Sequence, residues 1–122
     1  MLFSTPSGER TFEIPDDWWI FADLDQLLAS GRRSYAYRSD LHGISLVPIV
    51  EILPPTRAKA LPLLSKRRLV PILIAFAKPE VVLPPVRTDL MSTGPYRLAV
   101  VDGVHRYYAS VAAGFPLIPV MI

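Results

Sequence analysis

Apolar positions in this chain come in short runs of changing spacing, and prolines or glycines stand at most of the breaks. After a loose lead-in over residues 1–10, residues 11–14 have the length and composition of a short strand. Pro15 then precedes Asp16 and Asp17, whose charges suit the positive end of a helix. Trp18, Phe21, Ala22 and Leu28 share one helical face, with Leu24 and Leu27 alongside, which predicts a helix over 16–29 that stops at Ser30-Gly31. Of the adjacent tryptophans, one is expected in the core and the other over the domain edge. Residues 44–53 read as one strand of branched apolar residues closed by Pro54-Pro55, with Pro48 marking an edge position or a bulge. Thr56 is placed to cap a helix running to Leu64 or Ser65, interrupted at Pro62. Residues 69–77 read as a second short helix with Pro71 in its first turn.

The last third has the clearest pattern. Leu83-Pro84-Pro85-Val86 leads a strand, Thr93-Gly94-Pro95 is a turn, and residues 96–101 form a strand with a branched apolar end. Asp102-Gly103 then turns the chain into a helix over 104–113, with Val104, Tyr107, Tyr108 and Val111 on one face and Gly114 as its stop. Residues 117–122 supply a final strand.

Composition narrows the chemistry. The chain has 122 residues, 51% of them hydrophobic and 20% charged, which is globular rather than disordered. It has no cysteine, so disulfides, thiolate metal sites, iron–sulfur clusters and cysteine nucleophiles are all excluded. Thirteen prolines, about twice average usage, argue against a long helical bundle. The net charge of +2 is unevenly spread. Residues 1–30 hold six acids against Arg10 alone (−5), and the remainder five acids against twelve bases (+7). A basic body of this kind suits an anionic partner as well as a solvated surface. The N-terminus has no basic stretch followed by an apolar one, and the longest apolar run, 69–77, is far short of the ~20 residues a spanning helix needs. A cytoplasmic protein with no membrane partner is expected.

One segment carries chemistry: Val100-Val101-Asp102-Gly103-Val104-His105-Arg106. A buried strand feeds a glycine turn that opens a helix, and the unpaired amides of a helix's first turn, with its dipole, attract anions. Gly103 permits close approach of backbone to ligand. His105 and Arg106 add donors, and Arg106 is able to fork two bonds to a phosphate. Asp102 has three available roles: orienting His105, holding Mg²⁺ bridged to phosphate, or capping the helix. An ordinary capped turn accounts for the same residues without a ligand. Arg57, Lys59, Lys66, Arg67 and Arg68 form a second run of five bases with no acid between them. Interleaved bases and aromatics at Arg32, Arg33, Tyr35, Tyr37 and Arg38 suit single-stranded nucleic acid, but so short a stretch reads first as a connecting loop.

In order along the chain, Val47-Pro48-Ile49-Val50-Glu51-Ile52 with Pro54, Pro55 and Arg57, then Leu83-Pro84-Pro85-Val86, then Asp102-Gly103-Val104-His105-Arg106 with Gly114-Phe115-Pro116, resemble the ParB/sulfiredoxin superfamily. The resemblance covers residues 44–122; residues 1–43 have no counterpart in it. It implies a small α+β domain with a mixed sheet over 44–122, on which residues 1–43 pack as an N-terminal extension, and a nucleotide or phosphate pocket at the start of the signature helix. Gly103, Val104, His105 and Arg106 fall on the phosphate-binding motif, and Arg57 on the basic residue of the opening segment. The implied ligands are ATP or CTP with Mg²⁺. Glu51, near the end of the opening strand, is the candidate general base, with Asp102 and His105 as the other candidate catalytic residues.

The departures are informative too. Sulfiredoxins carry their catalytic cysteine between the glycine and the histidine, where this chain has Val104, so sulfinic acid reduction is excluded. ParB proteins usually carry Gly-Glu-Arg-Arg and continue into a helix-turn-helix domain, which this chain is not expected to have. Two functions remain. One is a nucleotide-binding enzyme, a phosphotransferase or NTP hydrolase. The other is a non-catalytic regulatory or nucleic-acid-associated module.

Overall fold

A computed structural model describes residues 1–19, 31–57, 61–78 and 80–122. The chain opens with a hairpin, β1 (Leu2–Ser4) against β2 (Thr11–Glu13). Strands β3 (Ile44–Pro48) and β4 (Ile52–Leu53) follow, separated by a 3₁₀ turn at Ile49–Glu51. Helix α1 (Lys66–Phe76), β5 (Val86–Leu90), β6 (Leu98–Asp102), helix α2 (Val104–Ala112) and β7 (Leu117–Met121) complete it. The main sheet is mixed and five-stranded, in the order β3-β7-β5-β6-β4. β3–β7 and β5–β6 are antiparallel, while β5–β7 and β4–β6 are parallel. This is an α+β architecture, as the alternation of short strands and helices predicts.

The predicted single strand over 44–53 is two strands at opposite edges of the sheet. Pro48, without an N–H, sits where an edge strand tolerates it, and Ile49 N–H extends the β3–β7 register by one pair, donating to Pro116 C=O at 3.0 Å, before the chain turns away. This topology also bends the sheet. Flat, its two edge strands would lie about 19 Å apart, at ~4.8 Å per strand. The three residues between Pro48 and Ile52 cannot span that distance, since a fully extended chain advances at most ~3.6 Å per residue and a 3₁₀ turn only ~2 Å. The sheet therefore curls, and β4 is carried round beside β6.

The helices correct two further expectations. Residues 61–65 are not helical, so the helix expected after Thr56 does not reach Ser65; residues 58–60 lie outside the described part. Instead, Ser65 in an extended conformation is the N-cap of α1, which starts at Lys66 and puts Pro71 in its second turn. Leu69, Leu73 and Phe76, at i, i+4 and i+7, are buried on one face, and this packing offsets the helical hydrogen bond that Pro71 cannot donate. Helix α2 ends in a Schellman motif: Gly114 N–H donates to Val111 C=O (3.1 Å) and Phe115 N–H to Ser110 C=O (3.1 Å), with Gly114 at φ +78°.

At the N-terminus, Asp16–Trp18 is a short 3₁₀ turn, and residues 20–29 of the predicted helix lie outside the described part. Trp19 is buried and Trp18 partly so. Phe12, Ile14, Trp19 and Tyr35 join one buried cluster with Leu69, Leu73, Tyr107, Tyr108 and the central strands. Phe12 packs edge-on against Tyr108 (4.8 Å between ring centroids), which seats the hairpin on α2. Residues 31–43 carry no helix or strand, and Tyr35 ties this loop to the core by donating to Pro84 C=O at 2.5 Å. Among the described residues, no helix is long and apolar enough to cross a membrane.

Candidate functional site

Strands β4 and β6 run parallel, with Ile52 opposite Leu98 and Leu53 opposite Ala99. Whatever follows their carboxyl ends is therefore brought together: Pro54-Pro55-Thr56-Arg57 after β4, and Asp102-Gly103 leading into α2 after β6. Tyr108, buried on α2, pins the first of these by donating to Pro55 C=O at 2.5 Å. The first residues of α1 complete the enclosure. The result is a cavity of about 340 Å³ whose lining includes Arg57, Arg68, Asp102, Gly103, His105 and Arg106.

Every phosphate-site residue expected from the sequence lines this cavity: Gly103, Val104, His105, Arg106 and Arg57. Asp102 lines it as well. Of the basic run, Arg68 lines it besides Arg57; its place depends on α1 starting at Lys66, which the sequence pattern did not reveal.

Glu51 does not join them. It sits at the amino end of β4, where its Oε1 is 3.3 Å from Arg97 Nη1 and its carbonyl accepts from Arg97 N–H. Five strand steps separate Arg97 from Asp102, roughly 17 Å at ~3.3 Å per residue. The strand that carries Glu51 points its other end at the cavity.

Gly103 takes φ +116°, a left-handed conformation that side chains disfavour. A Cβ there would lie 3.0 Å from Arg106 Nη2 and 3.1 Å from Val86 Cγ2. The Arg106 side chain is folded back over this glycine and is only 13% exposed. Its Nη1 donates to Pro84 C=O at 3.1 Å and its Nη2 lies 3.6 Å from Asp102 Oδ2. The forked grip on phosphate expected of Arg106 is thus already engaged within the chain, and the residue braces the turn while bordering the cavity. Asp102 does not cap α2, which has no side-chain cap. Its carboxylate is 69% exposed.

Helix α2 begins with Tyr107 N–H donating to Gly103 C=O (2.9 Å), so the amides of Val104, His105 and Arg106 precede its first helical bond. Neither α1 nor α2 has an acidic residue in its first turn or a capping side chain, and the two helix starts meet at His105. The Ser65 amide at the head of α1 donates to His105 Nε2 at 3.0 Å. Both positive helix ends therefore face one region that already holds Arg57 and Arg68.

The state of His105 follows from these neighbours. The residue is 6% exposed, and burial, followed by the charges of Arg57 and Arg68, pushes its pKa down to about 4. The ring is neutral at pH 7. Because Nε2 accepts from Ser65, the single ring proton sits on Nδ1. Nδ1 faces Arg57 Nη2 at 3.4 Å, and a guanidinium is donor only. Two donors thus point at one another with no acceptor between them. Arg57 Nε is buried and has no hydrogen-bond partner either.

Among the described residues, no three His, Asp or Glu side chains come together as a metal site. Among the described residues, Asp102 is the one carboxylate lining the cavity. Mg²⁺ is commonly held by one or two carboxylates plus the phosphates of its ligand, and Asp102 fits that limited role.

A second cavity, of about 430 Å³, adjoins the first and shares Val101 and Val104 with it. Its lining includes Leu53, Pro54, Pro55, Thr56 and Ala99, together with Glu9 and Arg10 from the β1–β2 turn. Sequence reasoning missed Glu9 and Arg10, because nothing in their local pattern ties them to a strand–turn–helix segment ninety residues away.

No family model, curated protein or solved structure matches this chain.

Proposed function

We propose that this chain is a ParB/sulfiredoxin-like domain that binds a phosphate-bearing ligand, a nucleotide foremost, in the cavity at the start of α2. The observation that carries the reading is the opposed pair of donors, His105 Nδ1–H and Arg57 Nη2, 3.4 Å apart with no acceptor of their own. A phosphate oxygen seated beside the pair, within hydrogen-bond reach of both nitrogens, would accept from both. Arg68, the leading amides of α2 and the two convergent helix ends add positive potential. The sequence resemblance over residues 44–122 supports the same placement independently.

Phosphoryl transfer or hydrolysis rests mainly on positioning and charge neutralisation, which arginines, a neutral histidine donor and helix amides supply. In such a reaction Asp102 is the carboxylate available to Mg²⁺ held on the phosphates. Glu51 is too far away to serve as the base.

Calorimetric titration with pyrophosphate, ATP and CTP, each with and without Mg²⁺, tests the proposal. Binding is expected, weakened about tenfold or more in Arg57→Ala, as for loss of a charge-assisted bond worth ~1.5–3 kcal/mol. No binding by any of these ligands, or wild-type affinity in Arg57→Ala, refutes it.

A further inference from the structure

The cavity beside the anion site is bordered partly by a segment that lies outside the resemblance. The turn between β1 and β2 is held rigidly: Thr5, itself buried, donates its N–H to Arg10 C=O (2.9 Å), and its Oγ1 accepts from Arg10 N–H (3.2 Å). Gly8 N–H closes the turn on Thr5 C=O at 2.8 Å. Phe12 anchors the hairpin on Tyr108, so Glu9 and Arg10 are presented from a fixed backbone. Both side chains are exposed and both line the second cavity. The rest of its lining is largely apolar: Leu53, the Pro54-Pro55 pair, Ala99, Val101 and Val104. An acid and a base side by side over an apolar floor match an organic group that offers a hydrogen-bond donor to Glu9 and an acceptor to Arg10.

We infer that the β1–β2 turn is the selectivity element of this protein, with Glu9 and Arg10 reading the organic group of a phosphate ester whose phosphates occupy the Arg57–His105 cavity. The reading rests on the anion site proposed above. Val101 and Val104 border both cavities, so the two adjoin and a single phosphate ester would have to reach across these valines to fill both. Two kinds of organic group carry adjacent donor and acceptor: the polar edge of a nucleobase, and the ammonium and carboxylate of an amino acid.

The test compares ligands matched in phosphate. ADP and CDP are titrated against pyrophosphate, and O-phosphoserine against inorganic phosphate, into wild type, Glu9→Ala and Arg10→Ala. The wild type is expected to prefer one organic ligand over its matched inorganic anion by about tenfold or more, the scale of one or two charge-assisted hydrogen bonds. Which arm shows the preference tells a base edge from a zwitterion. Each variant is expected to lose most of the preference while keeping wild-type affinity for the inorganic anion. Both substitutions fall on exposed turn positions, so unchanged melting temperatures will accompany them. A preference that survives in both variants, or a wild type that binds the inorganic anions but prefers no organic ligand, overturns the inference and leaves the anion site standing. A wild type that binds neither anions nor esters overturns both.

Discussion

Acid should destabilise this protein through His105, by an amount that its surroundings fix. In the unfolded chain the imidazole titrates near 6.5, whereas in the fold it stays unprotonated down to about pH 4, because of burial and then the charges of Arg57 and Arg68. Between those limits the unfolded state binds the extra proton, so lowering the pH favours unfolding. The contribution is fully present above pH 6.5 and is lost as the pH falls towards 4. Each pH unit in that window is worth about 1.4 kcal/mol, so going from pH 7 to 4.5 should cost about 2–3 kcal/mol through this residue. For a domain of this size that is a large share of a total of ~5–15 kcal/mol. Carboxylates titrate over part of the same range, so the measurement must be differential. Urea unfolding of wild type and His105→Gln at pH 7, 5.5 and 4.5 isolates the term, since glutamine offers Ser65 N–H an acceptor but takes up no proton. The variant will be less stable at pH 7, because the imidazole packing is lost, yet its stability should fall by about 2–3 kcal/mol less across the series. Parallel curves for the two proteins would show that His105 titrates normally. The argument for a proton fixed on Nδ1 would fall with it.

Gly103→Ala combines a disfavoured φ of +116° with contacts near 3.0 Å to Arg106 and Val86. It should cost about 1–3 kcal/mol in thermal or urea unfolding and weaken pyrophosphate binding, because Arg106 must leave its seat on Pro84. Glu51→Gln should leave nucleotide or pyrophosphate affinity within twofold of wild type. Stability should change by less than about 1 kcal/mol, since the Glu51–Arg97 pair is largely exposed.

The elements that the sequence made legible are those whose signals are local. Asp102-Gly103 followed by an amphipathic run, with Gly114 beyond it, marks α2 because the positive-φ turn and the helix stop are chemical requirements of single residues. Gly103, Val104, His105 and Arg106, the residues expected to hold phosphate, lie at that turn and so read together from local signals. The misreadings share a different cause. Ile44–Leu53 has uniform strand composition, but its two halves pair with different strands, β3 with β7 and β4 with β6, and both partners are distant in sequence. α1 starts at Lys66, ahead of Pro71, because burial of Leu69, Leu73 and Phe76 outweighs the local preference for proline in a first turn. Glu51 looked close to the site because it lies near the end of the segment that reads as one opening strand. Strand direction, which no local pattern encodes, puts them at opposite ends. The opposed donors of Arg57 and His105 were equally hidden, since they depend on the Ser65 amide occupying Nε2.

The neutral state of His105 limits the repulsion that the proposed anion site would carry without a ligand. Arg57, Arg68 and two helix ends already place like charge in one region, and a protonated imidazole buried among them would add another positive charge where solvation is poorest. Keeping the ring neutral limits the repulsion and still leaves an N–H aimed at the cavity. On the binding proposed above, an anion would reverse these relations, supplying the missing acceptor and offsetting the charge of the arginines. Ligand binding should therefore add to folding stability by mass action, and the side chains that bind best are those least satisfied in the free chain.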